Sequence, residues 1–401
     1  MPLDSRRLYG KFELSIRRLF FAMSRSSTIL LAFNVDWFAL SHFSSYIKRF
    51  EQLGRHVHIF AEDTGSISSL SSQFVSVHRS LVGRRSGNTI QEILMLIYIG
   101  FSLLWLRPEI VECISIKPIL TWGVWARLFN IKNRICYITG LGSFFHSSSV
   151  FLPFVDFLLR YALSGRNTRI IVENSSIQDL VVRKFSVLRE NVFILNGVGV
   201  PLDVFYPSAT GMSGFASRPI KILMASRLLK DKGVIEYLEA AVLLKQKYGE
   251  KVEFLLAGRF DAVNPTALSH DCLRTYLTPI GVVEYLGVSS DMPSLLRNIN
   301  IFVLPSYHEG FPRSIIESAA CGVPVVTTNV PGCIDAISHG TTGLAVPPRN
   351  VKLLVAAISH LIDVPSLLCS MSVESRTLAL SKYDQNIISG NHLNIVLGRT
   401  N

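Results

Sequence analysis

Two rhythms of apolar and polar residues alternate along this chain. Short runs that are almost wholly apolar recur at Thr28–Asn34, residues 56–61, Ile110–Ile114, Arg134–Thr139, Ile170–Glu173 and Val192–Leu195. They recur again at Ile220–Ala225, Val252–Ala257, Val283–Gly287, Ile301–Leu304 and Val323–Thr328. Runs of this length without polar interruption suit parallel strands buried on both faces. Between them lie segments of helical composition: residues 43–53, one starting near Gly233, Pro293–Arg297, Arg313–Cys321 and residues 351–362. The spacing predicts an α/β chain, and 401 residues accommodate two domains of ordinary size. Asn196–Asp203, N-G-V-G-V-P-L-D, sits at the midpoint and has the glycines and proline of a hinge.

Two longer apolar runs stand out. Ile93–Leu106 is almost unbroken for fourteen residues, short of the roughly 20 needed to cross a bilayer. It reads as a core helix with one exposed apolar edge. Phe144–Leu163 is similar, with Phe151, Phe154, Phe157 and Leu158 beside Arg160 and Arg166. Neither is a transmembrane span; each is either buried core or a segment that dips into a membrane interface. Residues 1–26 place Leu8, Phe12, Ile16, Leu19 and Met23 at helical spacing among Arg6, Arg7, Lys11, Arg17, Arg18 and Arg25. That pattern fits a basic amphipathic helix lying on a membrane, and equally a dispensable extension.

The densest chemistry runs from Ile301 to Pro348. After the strand, Pro312 sets φ for a helix start and Gly322 is placed to end that helix. Glu309 lies in the loop and Glu317, eight positions on, falls about a turn into the helix. A helix N-terminus here offers unpaired N–H groups to a phosphate. Gly310 lets backbone come close to a ligand. A carboxylate accepts paired sugar hydroxyls. Upstream, Arg227 and Lys232 follow a strand in S-R-L-L-K-D-K-G, cations placed to clamp a diphosphate.

At these residues the chain resembles the retaining glycosyltransferases of family 4 (group 1), which have the GT-B fold. The resemblance rests on E-x₇-E at Glu309 and Glu317, on A-C-G-V-P-V-V-T-T-N-V-P-G-C at Ala320–Cys333, on G-L-A-V-P-P at Gly343–Pro348, and on the R-x₄-K-G of Arg227–Gly233. It implies two Rossmann-like domains facing across a cleft. The implied divisions are a basic extension over 1–26, an acceptor-side domain over 27–200, a nucleotide-sugar domain over 201–372, and closing helices over 373–401 that return to the first domain. The resemblance implies that Glu309, Arg227 and Lys232 are catalytic. It places Glu317, Gly310, Phe311, Arg313, Ser314 and Val288 on the donor, with Glu317 at the ribose and Val288 at the base. N-V-D-W-F with S-H, S-I-K-P, and T-G-L-G-S-F resemble a subgroup that builds bacterial surface polysaccharides (O-antigen or capsule) or lipid-linked oligosaccharides. They imply an acceptor side at Asp36, His42, Lys117, Thr139 and Gly140. Asp36 also fits a plain helix cap. Many relatives carry a histidine near Ser115–Lys117 where this chain has Ile116 and Lys117. Lys117 reads as an acceptor-phosphate ligand or a solvated surface lysine.

Charge and cysteines narrow the partners. Residues 1–200 hold 23 Lys and Arg against 13 Asp and Glu, a net of +10 of the chain's +11. A basic half interleaved with apolar runs, and no nucleic-acid motif, favours an anionic membrane surface over nucleic acid. The six cysteines form no C-x-x-C pair, which suggests reduced thiols in the cytoplasm. The first strand lacks G-x-G-x-x-G, against a dinucleotide-binding dehydrogenase. There is no D-x-D, so no metal cofactor is expected. The subgroup resemblance implies a reaction that moves a hexose or N-acetylhexosamine from a UDP-sugar to a polyprenyl-diphosphate or other lipid-linked saccharide, and with the basic half of the chain it suggests the inner face of the cytoplasmic membrane. A non-hydrolysing nucleotide-sugar epimerase and a non-catalytic membrane-bound partner are the alternatives.

Overall fold

The computed structural model describes residues 28–80, 89–140, 152–208, 219–261, 264–269, 271, 273 and 281–399. The readings of residues 1–26 and of Phe144–Phe151 lie outside them. The first sheet has seven strands: β1 (Thr28–Val35), β2 (His56–Glu62), β3 (Val75–Arg79), β4 (Ile110–Ile114), β5 (Asn133–Ile138), β6 (Thr168–Val172) and β7 (Val192–Ile194). The second has six: β8 (Ile220–Ala225), β9 (Val252–Ala257), β10 (Val283–Gly287), β11 (Ile301–Leu304), β12 (Val325–Thr328) and β13 (Gly343–Val346). The first runs β3-β2-β1-β4-β5-β6-β7 and the second β10-β9-β8-β11-β12-β13. Every ladder within them is parallel. Both orders reverse after three strands, the doubly wound plan, in which ligands gather outside the strands' carboxyl ends at the reversal. In the second sheet that point lies between β8 and β11.

The helices that matter below are α1 (Asp36–Gln52), α2 (Thr89–Leu106), α3 (Leu152–Leu163), α4 (Ser175–Phe185), α5 (Val234–Tyr248), α6 (Arg313–Ala320), α7 (Val351–Asp363), α8 (Pro365–Leu378) and α9 (Gln385–Leu397). Most predicted elements are present within a few residues. The strand β3 was not anticipated: V-S-V-H-R alternates and lies at the sheet's edge, so it lacks the continuous apolar text of a central strand. Helix α1 begins at Asp36, seven residues before its predicted start.

The first sheet is covered on both faces. One core joins Leu30, Phe60, Val111 and Ile170 to α2, α3 and α4; the other joins Ile29, Ile59, Ile135 and Ile171 to α1 and α9. A separate core fills the second unit. Helix α9, the last in the chain, therefore packs on the first unit. The chain crosses between units twice, and the crossings are tied together: Val200 N–H donates to Tyr383 O at 2.7 Å, and Gln385 N–H to Val200 O at 3.0 Å. Gly199 has φ of +76°, and a Cβ there would lie 2.5 Å from Gln385 Cα, so only glycine lets the strands approach.

Candidate active site

The loop after β8 is held in place before it does any chemistry. Asp231 accepts from Thr266 Oγ1 at 2.8 Å, and its carbonyl takes Tyr307 N–H at 2.8 Å. Gly233 follows with φ of +74°; an added Cβ would meet Pro305 O at 2.1 Å. The β8 and β11 loops are thus zipped side by side, and Lys232 Nζ meets Glu309 Oε1 at 2.6 Å, both side chains mostly buried. Arg227 reaches the same place, oriented by Asp261 Oδ2 at 3.1 Å.

Helix α6 begins here. Pro312 occupies its N-cap position and has no side-chain acceptor for the first-turn N–H groups. Arg313 Nε lies 2.7 Å from Glu317 Oε1, one turn along. Burial raises the Glu317 carboxyl above its ordinary range, and Arg313 offsets part of that rise.

The first unit closes over this mouth. Asn174, which caps α4 by accepting from Ile177 N–H at 2.9 Å, donates through Nδ2 to Gly310 O at 2.8 Å. Arg313 donates to Ser41 O. Arg259 stacks on the Trp37 ring with its guanidinium carbon 5.4 Å from the centroid. A Cβ on Gly310 would lie 2.0 Å from Glu173 Oε2 and 2.9 Å from Thr139 O. One cavity results: Thr139, Glu173 and His42 line it from the first unit, and Arg227, Glu309, Gly310, Phe311 and Arg313 from the second.

Electrostatics in the cavity are polarised. Burial, then the neighbouring Glu309 carboxylate, push Glu173 up to about 8, and the Phe311 N–H that it accepts counteracts only part. Burial, then the Arg313 charge, drive His42 down to about 3, so its ring is neutral. Its Nδ1 lies 2.6 Å from Ser41 Oγ.

The sequence-predicted residues divide. Arg227, Lys232, Glu309, Gly310, Phe311, Arg313, Thr139 and His42 come together. Ser314 sits half-buried in the first turn of α6, and Glu317 is paired behind Arg313. Val288 is 70% exposed and outside the cavity lining. Gly140 follows Thr139 with φ of +128° but is not part of the lining. Asp36 is wholly buried and does not face the cavity. Burial alone would raise its carboxyl, but bonds from the Thr64 hydroxyl and the N–H groups of Thr64, Ser66 and Trp37 hold it below its ordinary value. It pins the Thr64–Ser66 loop and is neither an acceptor-side group nor the helix cap expected above: α1 starts at Asp36 itself, with Val35 at the N-cap position. Lys117 also lies outside the lining; burial lowers its value, and Glu92 and Glu62 oppose that.

Sequence reasoning missed two features. Glu173 read only as the end of a strand; a carboxylate closing an apolar run at a strand's carboxyl end was the available signal. Ser115 has φ of +85°, unusual for a side-chain-bearing residue, with Oγ 3.1 Å from Thr139 Oγ1.

Two doubly wound units closing on a cation-lined cavity at a switch point define a GT-B glycosyltransferase. The sequence comparisons agree: residues 28–174 match the glycosyl transferase 4-like family and residues 211–377 the glycosyl transferases group 1. The chain belongs to the group 1 glycosyltransferases. It is 34% identical over 292 residues, 69% of this chain and 73% of the relative, to N,N'-diacetylbacillosaminyl-diphospho-undecaprenol alpha-1,3-N-acetylgalactosaminyltransferase of Campylobacter jejuni. It is 32% identical to the capsular polysaccharide biosynthesis glycosyltransferase CapM of Staphylococcus aureus, over 40% of this chain and 42% of that one. Among solved structures, a Rickettsia africae glycosyltransferase superposes with a TM-score of 0.75 at 18% identity, covering 93% of this chain and 98% of the other. Anabaena HepE in complex with UDP gives 0.73 at 16% identity, covering 93% and 100%.

Proposed function

We propose that this enzyme transfers a hexose or N-acetylhexosamine from a UDP-sugar to a lipid-linked saccharide, with retention, during assembly of a bacterial surface polysaccharide. The observation that carries the reading is that Arg227, Glu309 and the α6 N-terminus line one cavity, with Lys232 paired to Glu309 just behind that lining. Departure of a diphosphate builds negative charge on its oxygens. Preorganised cations and N–H groups stabilise that charge without moving at the moment of reaction. Arg227 acts as a fork and Lys232 as a point charge.

In this reading Glu309 holds the donor sugar's hydroxyls and Glu317 the ribose. Thr139 and His42 bound the acceptor side. Retention follows from the family's chemistry, in which the leaving phosphate takes the acceptor's proton, so no side-chain nucleophile is required. Charge neutralisation by Arg227, Lys232 and Arg313 makes turnover independent of added divalent cation. The Campylobacter relative's undecaprenol-linked substrate supports the lipid-linked acceptor, and HepE's complex with UDP supports the donor. The divisions at 1–26, 27–200, 201–372 and 373–401 are carried here as the functional partition, with the enzyme peripheral on the inner face of the cytoplasmic membrane.

The test is incubation of the purified chain with single UDP-sugars, with and without polyprenyl-diphosphate saccharide, in buffer containing EDTA. UDP release that requires the lipid-linked acceptor and persists in EDTA is the expected result. Release that is absent with every donor refutes the reading.

A further inference from the structure

Helix α2 presents apolar side chains on both sides. Its buried stripe is Met95, Ile99 and Leu103. Its outer stripe, Ile93, Leu94, Ile97, Phe101 and Leu104, is 52–61% exposed, where a water-facing helix carries polar residues. No charged residue occurs from Ile93 to Leu106. The segment 119–128 packs against α2 on one side and α3 on the other, and all three bury their inner faces on the same side of the first sheet. Their outer faces therefore form one layer. Leu128 is 59% exposed within it, and Phe154 and Phe157 on α3 are 61% and 62% exposed. A contiguous exposed apolar surface of this kind marks an interaction site.

We propose that the outer face of α2, residues 124–128 and α3 is where this enzyme docks on a bilayer containing anionic lipid. The charges favour lipid over a second copy. Arg107, Lys132, Arg160 and Arg166 are exposed in or next to these segments. The acids nearby are engaged: Asp156 with Lys184 at 3.1 Å, Glu109 with Arg55 at 2.6 Å, and Glu92 in the field of Lys117. The face is therefore apolar with a cationic margin, which complements anionic headgroups and would repel its own copy. Its position also suits the chemistry. Helix α2 starts after β3 and Lys117 follows β4, so the first turn of α2, with Glu92 in the field of Lys117, lies at the carboxyl-end side of the sheet, the side on which the cavity opens. A saccharide carried on a membrane lipid would meet the cavity from this side. That last link rests on the lipid-linked acceptor proposed above; the docking surface itself does not.

The test is flotation of the full chain with vesicles of phosphatidylcholine, with and without phosphatidylglycerol. The intact chain should float with the anionic vesicles. Ile97→Glu with Phe101→Glu, and separately Phe157→Glu, should each lower the bound fraction about tenfold. Ile97→Ser with Phe101→Ser should act in the same direction. UDP titration by calorimetry should give unchanged affinity in each variant, showing an intact fold. Equal flotation of variants and parent overturns the proposal. So does a shift from dimer to monomer in sedimentation velocity with flotation unchanged, which would make the occupant a second copy. Failure of the parent to bind UDP refutes the donor assignment and leaves the flotation result standing.

Discussion

Lys232 and Glu173 carry opposite halves of the site's electrostatics. Lys232 touches Glu309 in the structure, and in the proposed reaction its stronger partner is the charge that develops on a departing diphosphate. Lys232→Ala should therefore lower kcat by about 10²–10³-fold with a smaller change in KM, read by steady-state kinetics. An unchanged kcat with a raised KM would assign it to ground-state binding instead. Glu173 faces Glu309, Tyr137, Arg227 and His42, with Lys232 behind Glu309. Its carboxyl, raised to about 8, keeps its proton at neutral pH. Below the ordinary carboxylate value, folded and unfolded chains both hold that proton. Between there and about 8 only the folded chain does, so stability falls as pH rises, by at most about 1.4 kcal/mol per pH unit. Glu173→Gln removes this slope. Denaturation measured across that window should show the variant gaining on the parent as pH rises. A stability gap that is constant with pH would show that Glu173 does not titrate there.

At the scale of elements, the decisive unit is the β11 loop running into α6. Its Gly310 is a point of contact between the two units, pressed by Glu173 and Thr139 from one side, with its carbonyl held by Asn174. Gly310→Ala puts a methyl 2.0 Å from Glu173 Oε2 and 2.9 Å from Thr139 O; the buried Glu173 must move, and the Thr139 backbone cannot retreat as a side-chain tip can. The substitution should part the units and reduce turnover at least tenfold. Its thermal stability should drop little, because the second unit's core is untouched. Small-angle scattering on the variant, showing an unchanged radius with full activity, would count against this closure. The loop's chemistry was legible from Glu309, Gly310 and Glu317 alone. Its partner was not, because Glu173 lies in another unit and its place at a strand's carboxyl end does not say which distant loop it meets.

For the whole molecule, the last helix is a clasp. Glu112 on β4 is fully buried; Tyr46 O–H donates to its Oε2 at 2.6 Å, and His392 Nε2 lies 2.6 Å from Oε1. The His392 ring stacks on Tyr46 with centroids 3.7 Å apart. This cluster joins α9 to the first unit after the chain has completed the second. His392→Ala strips a buried carboxylate of one partner and should cost about 3 kcal/mol, measured by urea denaturation. A loss below half that would mean the apolar contacts of Ile388, Leu393 and Val396 hold α9 by themselves. Among the described residues no single helix is long and apolar enough to cross a membrane.

Most of the alternation of strands and helices, the cations after β8 and the carboxylates around α6 follow from the sequence by itself; the edge strand β3 does not. Apolar periodicity and the geometry of a helix start are local, so each is written within a dozen residues. Tertiary structure alone decided that Asp36 pins a loop, that Glu173 completes the cavity, and that the apolar edge of α2 joins Leu128 and α3 in one surface. Those outcomes depend on which distant segments a side chain meets, and in a parallel sheet each neighbouring strand is reached only through a crossover.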